Sequence, residues 1–325
     1  MTRLDRPIFV VGCPRSGTTL VQCILSASSG AFSLPETHFF SHVLPAIGAL
    51  PETPIGRQEI RDARDAFDTE AELTLPASFW SAFEDVAQRE LRTALDVFLA
   101  VVEHFRPAPG LRVIEKTPRH VLHLDTIARA FPDAVFIEVV RDPIDVASSL
   151  LGVPFETSRS MLSYAQRWTE SIQAARAFAR TLPGRLRTVI YEQLVREPET
   201  AVRELCTFVD LPYELAMLEE FGREAARNVG RGEAWKGDVK SGVIIDRQGV
   251  WRVRMTPGQA WLVAQATTRL RGDFGYQDRP AASATSIVRA VVKEARVRFR
   301  EARSSNGVVG AARHAGSVLK TLAAA

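Results

Sequence analysis

The chain has 325 residues, of which 46% are hydrophobic and 24% charged, the balance of an ordinary soluble globular protein. Its net charge of +3, from 41 basic and 38 acidic residues, is too small to indicate a nucleic-acid partner. Three cysteines without C-x-x-C spacing argue against a zinc site or a disulfide framework, and they favour a reducing compartment. No apolar run reaches the roughly 20 residues that a membrane-spanning helix needs, and we expect a cytoplasmic protein without a signal peptide.

The first predicted element is a short buried strand, residues 8–11, followed by a turn rich in Gly, Pro and Ser and by an apolar-periodic helix. In such an arrangement backbone N–H groups and the positive end of the helix dipole converge, which creates an anion site. Gly12 and Gly17 have P-loop spacing, but Thr18 stands where a P-loop has lysine. Arg15 supplies a positive charge within the turn instead. We therefore predict a phosphate cradle that differs from that of a nucleoside triphosphatase.

Glu36 follows a second predicted strand or extended edge that leads into a helix. Because ligands bind beyond the carboxyl ends of strands in open α/β sheets, Glu36 can belong to a site there. The structural alternative is that Glu36 lies in the first turn of a helix and stabilises the helix dipole. Residues 50–110 then predict a helical insertion, which would either shape an acceptor pocket or serve as scaffold.

Two further predicted strands each end in a basic residue. The strand that begins at Leu111 ends at Lys116. The strand over residues 134–140, which is the richest in β-branched and aromatic residues, ends at Arg141. Both cations are therefore predicted at the carboxyl edge of the sheet.

A helix is predicted directly after Arg141, because Asp142 suits an N-cap and Pro143 suits the first helical position. Ser149 lies about two turns into this helix. Arg141 and Ser149 can therefore face one crevice and hold a second phosphate, distant from the one in the turn.

Strands alternate with helices along the chain, and a later strand over residues 187–192 carries Tyr191 near its end. This alternation predicts an α/β fold with three layers, in which helices flank a central parallel sheet as in P-loop proteins. Residues 221–249 predict a mobile polar loop, a candidate lid over an anionic ligand. The basic residues available there and just beyond are Lys236, Lys240, Arg247 and Arg252.

The C-terminal part predicts a tail, residues 280–325, outside a main domain over residues 1–279. Residues 287–303 predict a helix with two different faces. The apolar face has Val288, Val291, Val292, Ala295 and Phe299, and the basic face has Arg289, Lys293, Arg296, Arg300 and Arg303. Such a basic amphipathic helix can lie on an anionic membrane surface or bind a partner. The alternative is an ordinary surface helix whose charges are solvated.

In combination, these motifs resemble those of the sulfotransferases that use 3′-phosphoadenosine 5′-phosphosulfate (PAPS), and among them the bacterial type and the tyrosylprotein and carbohydrate branch. The resemblance spans roughly residues 7–275. The matching segments are Cys13-Pro14-Arg15-Ser16-Gly17-Thr18-Thr19-Leu20, Glu115-Lys116-Thr117-Pro118, Phe131-Pro132-Asp133-Ala134, Val140-Arg141-Asp142-Pro143 with Ser149, and Tyr191-Glu192-Gln193-Leu194.

The resemblance implies a role for each site residue. The 5′-phosphosulfate would be held by Arg15, Ser16, Gly17, Thr18 and Thr19. Arg141 and Ser149 would hold the 3′-phosphate, and Tyr191 would touch the adenine or its rim. Lys116 would balance the charge on the leaving phosphate. No metal is expected, because a sulfuryl group carries less negative charge than a phosphoryl group.

A general base must also take the proton of the acceptor hydroxyl. In the cytosolic branch of the family a histidine lies just after the Lys-Thr pair, and this chain has Pro118 there. Glu36 resembles the glutamate base of the tyrosylprotein and many bacterial and carbohydrate sulfotransferases. His38 and His120 are the alternative bases.

The activity implied is transfer of a sulfuryl group from PAPS to a hydroxyl or amine of a small molecule, a glycan or a lipid. One rival hypothesis is a P-loop kinase or nucleotide hydrolase with a degenerate loop, against which Thr18 in place of lysine argues. Another is a membrane-surface binding protein that uses the basic tail.

Overall fold

A computed structural model of the chain describes residues 4–70, 75–87, 92–154, 156, 158–228, 244 and 246–301. These described residues divide into two compact units: the first lies within residues 1–139 and 174–245, and the second lies within residues 140–173 and 246–325. The predicted boundary between a domain over residues 1–279 and a tail over residues 280–325 stays a prediction.

A central parallel sheet organises the first unit. The strands are β1 (Ile8–Gly12), β2 (Ala31–Ser33), β3 (Pro54–Ile55), β4 (Arg92–Thr93), β5 (Arg112–Glu115), β6 (Val135–Val140) and β7 (Leu186–Ile190). Five of them form the main sheet in the order β2-β5-β1-β6-β7. Within it Ile8 pairs with Ile114 on one side and with Val135 on the other. All residues of β1 and β6 are buried, as in a parallel sheet covered on both faces.

The helices are α1 (Thr18–Ser26), α2 (Leu44–Ala46), α3 (Arg57–Glu70), α4 (Ala77–Ala87), α5 (Ala94–Phe105), α6 (Leu124–Ala130), α7 (Pro143–Leu151), α8 (Met161–Thr181), α9 (Tyr191–Arg196), α10 (Pro198–Val209), α11 (Ala216–Glu219), α12 (Phe221–Asn228), α13 (Trp251–Arg254), α14 (Pro257–Arg271) and α15 (284–301). A π-helical turn (Phe39–Val43) precedes α2, and short 3₁₀ helices (Pro118–His123 and Gly272–Phe274) follow β5 and α14.

Side chains of β1 alternate between the faces of the sheet, and a separate hydrophobic core covers each face. Phe9 and Val11 belong to the core that includes side chains of α3 to α6. Ile8 and Val10 belong to the core that includes side chains of α1 and α10. The predicted α/β fold with helices on both faces of a parallel sheet is confirmed.

The predicted helical insertion over residues 50–110 contains α3, α4 and α5. It also contains the antiparallel pair β3–β4, which helical periodicity does not predict. Trp80 and Phe98 share the core of Phe9, and the rings of Phe9 and Phe98 stack with centroids 6.5 Å apart. The segment is therefore part of the scaffold of the first unit, and its largest aromatic side chains are committed to core packing.

The predicted polar loop over residues 221–249 is wrong at its beginning, where the structure has α12. The reason is Phe221, which is fully buried in the core that also covers α1 and therefore anchors this segment as a helix. Residues 229–243 and 245 of the predicted lid, including Lys236 and Lys240, lie outside the described residues.

The second unit contains α7 and α13 to α15. As predicted, Asp142 caps α7: its Oδ1 accepts a hydrogen bond of 2.7 Å from the backbone N–H of Ile144, and Pro143 follows as the first helical residue. In the predicted tail, α15 buries the carboxylate of Glu294, which accepts hydrogen bonds from the Ser160 hydroxyl and from the Met161 N–H at the start of α8. Among the described helices none combines the length and the hydropathy that crossing a membrane requires.

Candidate functional site

The turn between β1 and α1 has the backbone of an anion-binding loop. Gly12 and Gly17 have φ values of 143° and 102°, which favour glycine. A β-carbon on Gly12 would lie 2.5 Å from the carbonyl oxygen of Val139, and one on Gly17 would lie 2.6 Å from the Tyr191 ring. Both glycines are therefore required by close contacts as well as by φ. Arg15 also has a positive φ, of 75°, an uncommon conformation for a residue with a side chain.

The amino end of α1 is suited to an anion. Gly17 provides no side-chain cap, and no acidic residue lies in the first turn of α1. The hydroxyl of Ser16 is fully buried, with no hydrogen-bond partner in the described part of the chain. Because a buried hydroxyl is normally satisfied, Ser16 fits a site for a phosphate-like oxygen. Thr18 is buried and Thr19 half-buried beside it.

Glu36 and Lys116 form an ion pair. Lys116 directly follows β5, and its Nζ donates a hydrogen bond to Oε1 of Glu36. The side chains of Lys116 and Glu36 are only 2% and 10% exposed, so each charge compensates the other in a poorly solvated place. The second carboxylate oxygen of Glu36 lies 3.5 Å from Nε2 of His38. Glu36 precedes the π-helical turn and is not in the first turn of a helix, so the structural alternative for this residue is wrong.

His120 has a different environment from His38. It is fully buried, and its Nδ1 lies 2.9 Å from Oε2 of Glu115. The backbone N–H of Phe40 donates to its Nε2 over 3.2 Å. Both ring nitrogens are engaged inside the core, which argues against His120 as the base. Of the two histidines, His38 is the one placed beside Glu36.

Tyr191 and the phosphate loop meet within the first unit. Tyr191 is the first residue of α9, rather than part of β7 as predicted, and its buried ring packs on the backbone of Gly17. This contact supports the shape of the loop, and it was not evident from the sequence because the two residues are far apart in the chain.

In the second unit the structure surrounds Arg141 with fixed groups. Its carbonyl oxygen accepts a 2.9 Å hydrogen bond from the indole N–H of Trp168. Its buried guanidinium donates to the carbonyl oxygen of Arg247 over 2.5 Å. Ser149 lies in α7, as predicted, and it is half-buried.

Asp145, which no motif in the sequence indicates, holds the segment that begins at residue 246 against α7. Its carboxylate accepts hydrogen bonds from the backbone N–H groups of Gly249 (2.7 Å) and Trp251 (3.0 Å). Of the basic residues predicted for this segment, Arg247 is thereby held near Arg141. Arg252 is instead paired with Asp278 and lies over the Trp251 ring. An acidic residue early in a helix suggests only a dipole interaction, so the sequence carried no signal for this role of Asp145.

The described residues contain no group of three or more His, Cys, Asp or Glu side chains able to hold a metal ion. The expectation of a metal-free reaction stays a prediction.

A protein-family model described as "Sulfotransferase family" matches residues 7–215. The chain is 28% identical over 223 residues to an uncharacterized protein of Aquifex aeolicus, and this match covers 66% of this chain and 27% of that protein. It is 28% identical over 228 residues to a putative protein-tyrosine sulfotransferase of Caenorhabditis briggsae (67% and 70% covered) and 28% identical over 262 residues to protein-tyrosine sulfotransferase 1 of Danio rerio (76% and 66% covered). The chain thus spans less than two thirds of the length of the first and third of these relatives.

Two solved structures share the fold. The sulfotransferase domain of the curacin biosynthetic pathway matches with a TM-score of 0.57 at 22% identity, covering 86% of this chain and 100% of that one. The sulfotransferase domain of the Synechococcus PCC 7002 olefin synthase matches with a TM-score of 0.61 at 22% identity, covering 86% and 97%.

Proposed function

The chain belongs to the sulfotransferase family, and we propose that it transfers the sulfuryl group of PAPS to the hydroxyl of an acceptor. The observation that carries this proposal is the ion pair of Glu36 and Lys116, a carboxylate and a cation held together in a poorly solvated place beside β5. Sulfuryl transfer to a hydroxyl needs both groups: a base for the acceptor proton and a cation for the leaving phosphate.

The residues of the loop fit the 5′ end of PAPS. Arg15 and the hydroxyls of Ser16, Thr18 and Thr19 would hold the phosphosulfate together with the backbone N–H of Gly17. The buried Ser16 hydroxyl supports this assignment, because an oxygen of the phosphosulfate could serve as its hydrogen-bond partner. Tyr191 would bound the adenine side through the ring that packs on Gly17. In the second unit, we assign the 3′-phosphate to Arg141 and Ser149.

When bound, PAPS supplies an activated sulfuryl group, whose bond to the 5′-phosphate oxygen breaks as the bond to the acceptor oxygen forms. Glu36 would take the proton of the acceptor hydroxyl. Before that step, the contact with Lys116 keeps Glu36 in its carboxylate form. Once protonated, Glu36 no longer needs the cation, and Lys116 is available to balance the charge on the leaving phosphate.

The acceptor is proposed as a hydroxyl-bearing small molecule, glycan or lipid, with an amine as a further option. Two of the relatives above are named as protein-tyrosine sulfotransferases, so a tyrosine peptide belongs in the same screen.

The decisive experiment incubates the chain with isotopically labelled PAPS and separate acceptor pools. Labelled product with the native chain and far less with Glu36→Gln is expected. Absence of product from every pool, with PAPS and the product nucleotide unbound, would refute the proposal.

A nucleotide kinase or hydrolase remains the rival enzyme, and calorimetry separates the two. A sulfotransferase should bind 3′,5′-bisphosphoadenosine without a divalent cation, and ATP with Mg²⁺ should bind far more weakly. The opposite order would favour the rival, because a nucleoside triphosphate site relies on the P-loop lysine and on Mg²⁺.

We propose in addition that the protein works in the cytoplasm and touches an anionic membrane surface through α15. The three cysteines are buried thiols, consistent with a reducing compartment. On α15, Val288, Val292 and Phe299 are 60%, 44% and 39% exposed, so they form an apolar stripe on the solvent side of a helix. Basic residues accompany this stripe at Arg289, Lys293, Arg296 and Arg300. An apolar stripe flanked by cations suits an interface between lipid headgroups and acyl chains.

Vesicle flotation tests this surface. The full chain should float with vesicles of phosphatidylserine and phosphatidylcholine and stay unbound with phosphatidylcholine alone. Val288→Ser combined with Phe299→Ser should abolish flotation. The control is Val253→Ser, because Val253 is also a highly exposed apolar residue of the second unit but lies on α13. Equal flotation of all variants would contradict the assignment to α15.

A further inference from the structure

A fully buried carboxylate lies next to the proposed catalytic pair. Glu115 is the last residue of β5 and immediately precedes Lys116. Its Oε1 accepts hydrogen bonds from the hydroxyls of Thr37 (2.8 Å) and Thr117 (2.7 Å). Its Oε2 faces Nδ1 of His120 at 2.9 Å. Three side chains from two separate segments of the chain thus converge on one carboxylate.

The direction of each hydrogen bond follows from the neighbouring groups. Phe40 donates its backbone N–H to Nε2 of His120, so Nε2 is an acceptor and carries no proton. The proton of the neutral ring is therefore on Nδ1 and is donated to Glu115. Burial alone would raise the pKa of Glu115, but His120 and the hydrogen bonds of Thr117 and Thr37 hold it below its usual value. Glu115 is thus a carboxylate that three donors satisfy.

The same hydroxyls also hold the backbone of the segment that carries Glu36. Thr117 Oγ1 accepts a hydrogen bond from the N–H of His38 (3.2 Å), and Thr37 Oγ1 accepts one from the N–H of Phe39 (3.3 Å). His38 has a φ of 50°, a left-handed conformation that costs energy for a residue with a side chain. This conformation persists because the hydrogen bonds around Glu115 hold the segment on both sides of it.

We propose that Glu115 is a positioning residue that sets the distance between Glu36 and Lys116. It does so by accepting hydrogen bonds from Thr37 and Thr117, which adjoin these two residues in the chain. Glu36 adjoins Thr37, and Lys116 lies between Glu115 and Thr117. A shift of the Thr37 segment against the end of β5 would therefore move Glu36 away from the Lys116 ammonium. The inference rests on the proposed function, since it assigns to Glu115 the support of the base and cation of sulfuryl transfer.

Glu115→Gln tests it with little change in volume. An amide could still accept from the two hydroxyls, but its NH₂ would face the Nδ1–H of His120. The ring cannot reverse its tautomer without setting Nε2–H against the N–H of Phe40. If the amide turns over, its oxygen accepts from His120, but the hydroxyl protons of Thr37 and Thr117 lose their acceptor. Either orientation leaves buried donors without an acceptor, which loosens the contact between the two segments. Glu138→Gln is the matched control, because Glu138 is also a buried strand carboxylate bonded to a threonine hydroxyl, but in β6.

For Glu115→Gln we expect kcat to fall by about 10- to 100-fold. Affinity for 3′,5′-bisphosphoadenosine should stay within about twofold of the native value, because the loop ligands are unchanged. The rising limb of the pH–kcat profile should move to higher pH, because Glu36 would lose the contact with Lys116 that favours its carboxylate form. Glu138→Gln should leave kcat and the profile unchanged. A folded Glu115→Gln with native kcat and native pH profile would overturn the inference.

Thr117→Val covers the case in which Glu115→Gln does not fold. It removes one donor to Glu115 and the acceptor for His38, and it conserves the side-chain shape. Carboxyl NMR titration of Glu36, assigned with Glu36→Gln, reports the pair without any turnover. A shift of the Glu36 titration in either variant supports the positioning role, and an unchanged titration refutes it. If the native chain transfers no sulfuryl group, the proposed function fails while this titration still decides the role of Glu115.

Discussion

Lys116 Nζ donates a hydrogen bond to Oε1 of Glu36 although the two residues come from separate segments of the first unit. Both side chains are nearly inaccessible to solvent. Removal of one partner would leave the other charge buried without compensation, which is far more costly than the loss of an exposed ion pair. The pair is therefore the most sensitive point of the proposed site, and substitutions there should separate chemistry from nucleotide binding.

Glu36→Gln should lower kcat by about 10²- to 10⁴-fold, the usual contribution of a positioned general base. The amide can still accept a hydrogen bond from Lys116 but cannot take the acceptor proton. Labelled PAPS measures kcat, and calorimetry measures the affinity for 3′,5′-bisphosphoadenosine, which should remain nearly native. Glu36→Asp should keep part of the activity. Normal turnover by Glu36→Gln would show that another group is the base, and His38 would be examined next.

Arg141→Ala should weaken the binding of 3′,5′-bisphosphoadenosine by about 10- to 100-fold, as expected for the loss of charge-assisted hydrogen bonds to a phosphate. Arg252→Ala is the control, because that arginine is exposed and engaged with Asp278. The affinity of the Arg252→Ala variant for 3′,5′-bisphosphoadenosine should stay close to native. An Arg141→Ala protein with native affinity would remove Arg141 from the nucleotide site.

Gly17→Ala should destabilise the protein by about 1–3 kcal/mol, because a β-carbon adds both a strained φ and a clash with Tyr191. Gly110→Ala is a matched control: Gly110 also has a positive φ, of 80°, but nothing lies within 4 Å of the added atom. Urea denaturation gives both free energies of unfolding. If the two substitutions cost the same, the contact with Tyr191 contributes nothing and the loop is not braced as described.

Glu138 should make stability depend on pH. Burial raises its pKa from 4.5 to about 7, with the Thr188 hydroxyl and Arg176 opposing the shift. Because the folded state binds this proton more tightly, the stabilising effect is complete below pH 4.5 and is lost as pH rises to about 7. At full loss it amounts to about 3 kcal/mol.

Glu138→Gln should flatten this part of the stability profile. Urea denaturation between pH 4.5 and 8 would measure it, and Glu103→Gln, at an exposed position, should keep the native slope. A native slope in Glu138→Gln would assign the pH dependence to other groups.

Elements that local signals define were predicted well. The start of α7 follows from Asp142 and Pro143, as predicted. Strand β1 and the loop after it follow from a short apolar run and two glycines. In contrast, β3 and β4 have two residues each and are too short to show any periodicity. Helix α12 depends on the burial of Phe221 in a core whose other residues mostly lie far away in the sequence.

The candidate site was predictable where a residue lies at the end of a strand, as with Lys116 and Arg141. It was not predictable where residues far apart in the chain meet. Thr37 and Glu115 are 78 positions apart, and only the pairing of β2 with β5 brings their segments together. A carboxylate at a strand end suggests a solvated or ligand-binding group, and only the folded chain shows that Glu115 is enclosed by its own donors.

The burial of Glu294 has a consequence for protein engineering. Its carboxylate supplies acceptors for the first turn of α8, so α15 completes another helix and cannot be treated as a removable appendage. A chain truncated after Arg279 would lose this cap together with the exposed stripe, and any loss of vesicle binding would be confounded by weakened folding. Chimeras and crystallisation variants should therefore keep α15 intact and change only its outward-facing side chains.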